Sequence, residues 1–392
     1  MLAASTAASA GITIPAGDWT VDIGGNVNAY FTNHDVETKT AAGVKTNPDD
    51  SNTMGTGLLP AALGIGAKTR QNDLDIAFQF TFFTGTSSGD SLGLGAAGNN
   101  SLNIRQAYLT FGDASWGSIK AGRDLGIFGS DAILSDMTLL GVGTGGPAGG
   151  SSTLGRIGSG YIYADWKGQM SYTSPNWNGF QFTAGAMENF TPNNASVLGT
   201  AGPAEAAAAT KGTNENNLAY EGKVTYDWTG DVSGRVWMSA ITQKTESAAL
   251  NYRSRGIDVG AKVNAGAFSL VGYYYDGKGL DSQKRALQGL FNGNGEKSDD
   301  GGYVQGTFTV PGIGTKLGLS YGESNSKSNN SSATQFDIRN KSWIVGAYHP
   351  LTKSLNLVAE YTDQDIKDKD ATGSAVRTTE NKTVSLGAIL FF

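Results

Sequence analysis

Across 392 residues only 16 % are charged, well under the roughly one quarter usual for soluble domains, and the net charge of −6 comes without any basic block. General nucleic-acid binding, which needs clustered Lys and Arg to displace counterions, is excluded. The absence of cysteine excludes thiol catalysis, cysteine-based zinc sites and disulfide frameworks. No stretch of roughly 18 or more apolar residues exists, so no membrane-crossing helix is expected.

Residues 1–10 are small and uncharged and end in Ala8-Ser9-Ala10, an A-x-A cleavage pattern. They read as the tail of a secretory signal, leaving residues 11–392 as one domain. From Trp19 onward the chain alternates with period two. Trp19, Val21, Ile23, Val27, Ala29 and Phe31 share one face, while Thr20, Asp22, Asn26, Asn28 and Thr32 share the other. The pattern returns at Leu74, Ile76, Phe78, Phe80 and Phe82, at Val224, Tyr226 and Trp228 against Lys223, Thr225 and Asp227, and at Ile257, Val259, Ala261 and Val263 against Asp258, Lys262 and Asn264. The chain ends on Val384, Leu386, Ala388, Leu390 and Phe392.

About 16 such segments of roughly 8–13 residues follow one another, the length that crosses a bilayer at a tilt. They begin near Trp19, Leu59, Leu74, Leu102, Ser115, Lys167, Phe180, Leu218, Val232, Arg255, Phe268, Tyr303, Thr315, Lys341, Leu355 and Lys382. Short turns alternate with long polar loops expected over 33–58, 84–101, 124–166, 189–217, 244–253, 277–302, 325–340 and 364–381. A soluble β-sandwich also alternates. Uniform strand length, the persistent loop asymmetry and aromatics at expected strand ends (Trp116, Trp177, Phe180, Trp228, Tyr303, Trp343, Tyr348) favour a closed transmembrane antiparallel β-barrel. Lipid cannot hydrogen-bond the peptide groups, so each strand needs two neighbours. At about 16 strands the lumen is wide enough to hold water.

Several segments resemble the trimeric general porins of Gram-negative bacteria. They are Arg105-Gln106-Ala107-Tyr108-Leu109-Thr110-Phe111-Gly112 with Trp116-Gly117-Ser118-Ile119-Lys120-Ala121-Gly122-Arg123; Gly155-Arg156-Ile157-Gly158 leading to Ser171-Tyr172-Thr173-Ser174-Pro175 and Asn178-Gly179-Phe180; Tyr348-His349-Pro350-Leu351-Thr352-Lys353-Ser354-Leu355; and the terminal Phe392. The resemblance covers the strand layout of most of the chain, with its specific motifs centred on residues 103–182. It implies an outer-membrane channel for passive diffusion of small hydrophilic solutes and ions, without cofactor or metal, exported through the periplasm and assembled as a homotrimer in outer-membrane lipid and lipopolysaccharide. It implies a third long loop, residues 124–159, folded into the lumen, with loop carboxylates Asp131 and Asp136 facing wall arginines Arg105, Arg123 and Arg156. It also implies that Phe392 is read by the outer-membrane insertion machinery.

The sequence departs from that family's pattern at Ala62, where an arginine is often found, and at Thr138-Leu139-Leu140, which replaces a loop glutamate. With three arginines against two aspartates, a weak anion preference is expected. Arg105 shares its alternation with Leu109 and Phe111, while Gln106, Tyr108 and Thr110 share the other face; a contact with a second protomer is expected there. A substrate-specific channel and a non-conducting adhesion or structural barrel are the alternatives.

Other constellations carry little chemistry. The glycine run over 141–150 contains G-x-G but lacks the buried strand and helix of a phosphate loop, and serves better to let a loop bend close to the wall. His34, expected in the first long loop, and His349, expected in a short turn, stand without a nucleophile constellation, so no enzyme is expected. Asp363, Asp365, Asp368 and Asp370 are expected to form a solvated acidic loop, because they lack the glycine and terminal glutamate of a calcium loop.

Overall fold

The computed structural model describes residues 11–46, 51–85, 102–145, 152–189, 218–246, 251–280, 298–327, 337–369 and 374–392. The stretch 1–10, read as a signal tail, lies outside the described residues. The chain forms a closed antiparallel barrel of 16 strands. In chain order these are β1 (Trp19–Thr40), β2 (Ala61–Gln71), β3 (Leu74–Thr84), β4 (Asn103–Asp113), β5 (Gly117–Leu125), β6 (Trp166–Thr173), β7 (Phe180–Glu188) and β8 (Leu218–Trp228). They continue as β9 (Val232–Glu246), β10 (Asn251–Ala265), β11 (Phe268–Lys278), β12 (Ser298–Thr309), β13 (Lys316–Lys327), β14 (Asp337–Pro350), β15 (Leu355–Lys369) and β16 (Ala375–Phe391).

Each strand pairs with its neighbours in sequence, and β16 pairs with β1 from Arg377↔Thr40 to Phe391↔Asn26, which closes the ring. Beyond Phe391 the ladder along β1 is continued by the short strand Ile12–Ala16, which pairs with Trp19–Ile23. The Gly25 N–H donates to the Phe392 carbonyl at 2.9 Å and the Phe392 N–H donates to the Gly25 carbonyl at 3.1 Å, so the two pieces meet without a gap in hydrogen bonding. Two further short strands, Lys45–Thr46 and Ser51–Gly55, pair back onto the upper half of β1.

Burial is inverted relative to a soluble sheet. On β10, Ile257 and Val259 are 59 % and 53 % exposed while Asp258 between them is 2 % exposed. Val304, Leu319, Val345 and Leu386 are likewise exposed, and Gln305, Ser320 and Ser385 beside them are buried. A sheet with apolar residues outside and polar residues inside is stable only where the outside is hydrocarbon.

The strand order and starts agree closely with the sequence expectation. The largest differences lie at one end of the barrel. β10, β12, β14 and β16 begin four to seven residues earlier than the alternation indicated, at Asn251, Ser298, Asp337 and Ala375. Ser298-Asp299-Asp300 and Arg377-Thr378-Thr379-Glu380, among those added residues, are polar on both faces, because there the ladder continues above the apolar band. For the same reason residues 244–253 are not a long loop. β9 runs to Glu246 and β10 starts at Asn251. Asp363, Asp365 and Asp368 lie on β15 rather than in a loop, and Asp368 accepts from Arg377 at 2.7 Å; Asp370 lies outside the described residues. His34 is on β1 against the Thr383 hydroxyl at 3.0 Å, and His349 is on β14 against Thr315 at 2.9 Å; neither is in a loop or turn.

The facing of Arg105 is settled by a β-bulge. The β3–β4 register runs Thr81↔Gln106 and then Phe82↔Ile104, skipping Arg105. An extra residue reverses the alternation on either side of it. Ile104 and Leu109 are therefore exposed while Arg105 and Gln106 are both buried. No second protomer is needed to explain the pattern.

Placing a charge in the apolar band tests the inversion. We expect Val304→Arg, on the exposed face of β12, to lower unfolding stability in lipid by about 2–4 kcal/mol. Denaturant titration of the lipid-reconstituted protein measures it, and an unchanged midpoint would place that face in water.

Candidate functional site

Residues 126–145 and 152–165, between β5 and β6, depart from the alternation altogether. They contain a six-residue helix α1 (Ser130–Ser135) and a 3-10 turn (Met137–Leu140). The helix starts after Gly129 at φ 75°, a left-handed conformation that suits glycine. Asp136 separates the two turns. Its Oδ1 accepts the Thr138 N–H at 2.9 Å, and its Oδ2 accepts the Tyr161 hydroxyl at 2.8 Å and the Arg156 N–H at 3.2 Å. The Asp136 carboxylate thus holds the segment's own shape.

This segment is bound by inward-facing side chains from many strands. Glu221 on β8 accepts the Ile127 and Phe128 N–H groups at 2.7 and 2.8 Å, and also the buried Lys167 ammonium at 2.5 Å. Asp258 on β10 accepts the Gly129 N–H at 3.1 Å, together with the Ser239 N–H and the Tyr273 hydroxyl. Gln305 on β12 accepts from the Met137 N–H and donates to the Ser135 carbonyl, while Tyr303 donates to the Ala132 carbonyl. Glu360 on β15 accepts the Val142 and Gly143 N–H groups at 2.8 and 2.7 Å and the Tyr348 hydroxyl at 2.6 Å. On β1, Tyr30 donates to the Leu140 carbonyl at 2.7 Å. Helix ends and irregular turns leave backbone groups without partners, and buried ones cost about 1–3 kcal/mol each unless paired. The inward carboxylates, glutamine and tyrosines supply those partners. At Gly141 a Cβ would sit 2.1 Å from Glu360 Oε1, so a side chain there would push the Glu360 carboxylate out of its position.

Apolar contact adds to the polar ties. Ala132, Ile133, Leu139, Ile157, Tyr161 and Ile162 pack with Trp237, Ile241, Val271, Tyr273, Tyr275 and Tyr303. Burying each of the large aliphatic side chains is worth on the order of 1.5–3 kcal/mol. Tyr303 and Tyr348, expected among the aromatics at an interface, are instead 2 % exposed and belong to these inner contacts, whereas Trp116, Trp177, Phe180 and Trp343 are exposed.

The structure places the expected site residues as follows. Asp131, on α1, meets Lys223 of β8 at 2.5 Å and Arg235 of β9 at 2.9 Å; Arg235 also grips Asp227 through Nε and Nη2. Burial by itself would raise the Asp131 pKa, but the Lys223 and Arg235 charges outweigh it and hold the carboxyl below its ordinary range. Arg156, expected on the wall, belongs to no strand. Its stretch turns at Gly155 and Gly158, both at positive φ, and cannot alternate. The Arg156 guanidinium is fully buried and donates to the hydroxyls of Ser320 on β13 and Ser342 on β14 at 2.5 and 3.0 Å. Arg105 stacks on the Phe83 ring, 4.7 Å from its centroid, and lies near Trp166. Arg123 is exposed on β5 and pairs in register with Ala107. Phe392 is at the ring seam described above.

Lys223, Arg235, Glu221, Asp258 and Glu360 were not singled out by sequence. Their signal is a charge at an inner position of an alternating strand, as in Ile257-Asp258-Val259 and Ala359-Glu360-Tyr361.

The comparisons agree with this architecture. The model of the Gram-negative porin family matches residues 1–369. Among solved structures, the outer-membrane channel DcaP of Acinetobacter baumannii is 18 % identical, with 98 % of this chain and 100 % of that chain covered at a TM-score of 0.64. The anion-selective porin from Comamonas acidovorans is 18 % identical over 95 % of this chain and 100 % of its own, TM-score 0.62. Salmonella typhi OmpF, in complex with daunomycin, is 17 % identical over 97 % and 100 %, TM-score 0.59. No curated relative matches the chain. The chain belongs to the Gram-negative porin family, and is an outer-membrane diffusion channel.

Two expectations follow. Glu360→Ala strands the Val142 and Gly143 N–H groups, so their amide hydrogen exchange should speed by about tenfold or more, and unchanged protection would contradict the clamp. Because the Asp131 pKa is depressed, its tie to Lys223 and Arg235 is fully present above the ordinary carboxylate range of about 4 and is lost only as pH falls through the lowered value. Exchange at residues 130–135 should therefore be flat from neutral pH to about 4 after correction for intrinsic rates, and loosening already near neutrality would contradict the assignment.

Proposed function

We propose that residues 126–145 and 152–165 lie across the lumen and narrow it, so that small hydrophilic solutes and ions pass by size, with a weak preference for anions. One observation supports this most. A single segment bonds to inward side chains of β1, β8, β10, β12, β13, β14 and β15, strands spread around the ring. A segment outside the ring has no path to all of them.

The charge balance supports the preference for anions. Glu221, Asp258 and Glu360 are engaged by fixed N–H, hydroxyl and ammonium donors, and Asp131 is shared by two cations. Lys262 and Lys316 have no carboxylate within ion-pair distance among the described residues, and Arg105, Arg123 and Arg156 add positive charge without such a partner. Fixed charge in a low-dielectric wall raises the local concentration of the opposite ion. The likeness to an anion-selective porin agrees with this reading.

The working unit is a homotrimer in outer-membrane lipid and lipopolysaccharide, inserted through machinery that reads Phe392. It carries solutes passively, without enzymatic turnover, cofactor or metal. In planar bilayers we expect conductance in groups of three equal steps and, across a potassium chloride gradient, a reversal potential of anion-selective sign. A cation-selective sign would overturn the preference, and insertion without current would overturn the channel.

A further inference from the structure

Below Asp131, toward the short turns, the inner wall carries a second set of cations. Arg235 and Lys262 stand directly opposite each other in the β9–β10 ladder. Like charges in that relation are destabilising unless compensated. Arg235 is compensated by Asp227 and Asp131, but Lys262 has no ion pair among the described residues. Three strands further round, Lys316 at the start of β13 has none either. Its ammonium rests over the Tyr348 ring, 4.8 Å from the centroid, and it lies within the field of Lys262. The carboxylates whose charges also reach Lys316 are Glu360, spent on Val142, Gly143 and Tyr348, and Asp136, spent on Thr138, Tyr161 and the Arg156 amide.

Between the two lysines the register runs Asn264↔Ser269 and Ser269↔Thr307, placing two hydroxyls on the inner face, since Phe268, Leu270 and Val304 are exposed on the other. Lys262 is in register with Ser320 through Val271 and Gln305, four residues along β13 from Lys316, so strand spacing and rise set the two Cα atoms about 20 Å apart along the wall, a gap that two extended lysine side chains narrow to about the width of a small oxyanion.

We propose that Lys262 and Lys316, over the Ser269 and Thr307 hydroxyls, form a low-affinity site for small doubly charged oxyanions on the short-turn side of the pore. The site rests on the channel reading and narrows it, because a dianion meets both ammoniums at once while chloride meets one. Two charges without carboxylate partners among the described residues, one of them held opposite Arg235 at a cost to the sheet, are accounted for by an anion that passes between them. The hydroxyls replace part of the water that a sulfate or phosphate sheds on entry.

The test uses the full chain in planar bilayers at fixed potassium chloride, with potassium sulfate titrated in at constant ionic strength. We expect a saturable reduction of the chloride current. In Lys262→Gln combined with Lys316→Gln the half-blocking sulfate concentration should rise about tenfold. Lys262→Arg with Lys316→Arg, which keeps both charges, should restore most of the block and also shows that substitution alone does not disrupt the barrel. A conducting wild-type pore whose chloride current sulfate does not reduce, or block that persists unaltered in the double glutamine variant, would overturn the site while leaving the channel standing. Insertion without any current would overturn both.

Discussion

A peptide group in hydrocarbon has no partner except another peptide group. That constraint closes the ring between β1 and β16, carries Ile12–Ala16 along β1 beyond Phe391, and has Gly25 and Phe392 exchange both of their bonds at the junction. It also turns the sheet inside out. Val304 and Leu386 face outward while Gln305 and Ser385 face in, because the only water is inside or beyond the strand ends.

A ring of this size leaves an interior that side chains from the strands alone cannot fill. Residues 126–145 and 152–165 meet the barrel strands through two kinds of contact. One part is dry, where Ile133 and Ile162 pack with Trp237 and Tyr273. The other is polar, where Glu221, Asp258 and Glu360 accept backbone N–H groups that a short helix and tight turns leave open. The carboxylates serve two ends. They fix the segment, and in doing so they leave Lys262 and Lys316 without acidic partners among the described residues.

The fold was legible in the sequence because each strand reports its two faces independently. Alternation at Ile257, Val259 and Ala261 or at Val384, Leu386 and Ala388 needs no knowledge of the neighbours. Legibility failed where the alternation stops being about lipid. Above the apolar band, residues such as Lys367 and Thr378 still pair but are polar on both faces, so strands appeared shorter than they are. At Arg105 one inserted residue reversed the parity, and no single-chain pattern distinguishes a bulge from a contact. The site was less legible still. Asp131 could be named from its segment, but its partners Lys223 and Arg235 are about 90 and 100 positions away and meet it only through the ring closure. Arg156 was matched by motif, yet its partners Ser320 and Ser342 lie on strands with no local sign of that role.

The central claim is that each strand of the chain divides hydrocarbon from water. With no native cysteine, single cysteines at Val259, Ala261 and Val263, and at Lys262 and Asn264, can each carry a nitroxide in the lipid-reconstituted protein. The account predicts that the first three relax with dissolved oxygen, which concentrates in lipid, and the last two with a water-soluble nickel chelate, alternating residue by residue. Equal access of the chelate to both sets would contradict it.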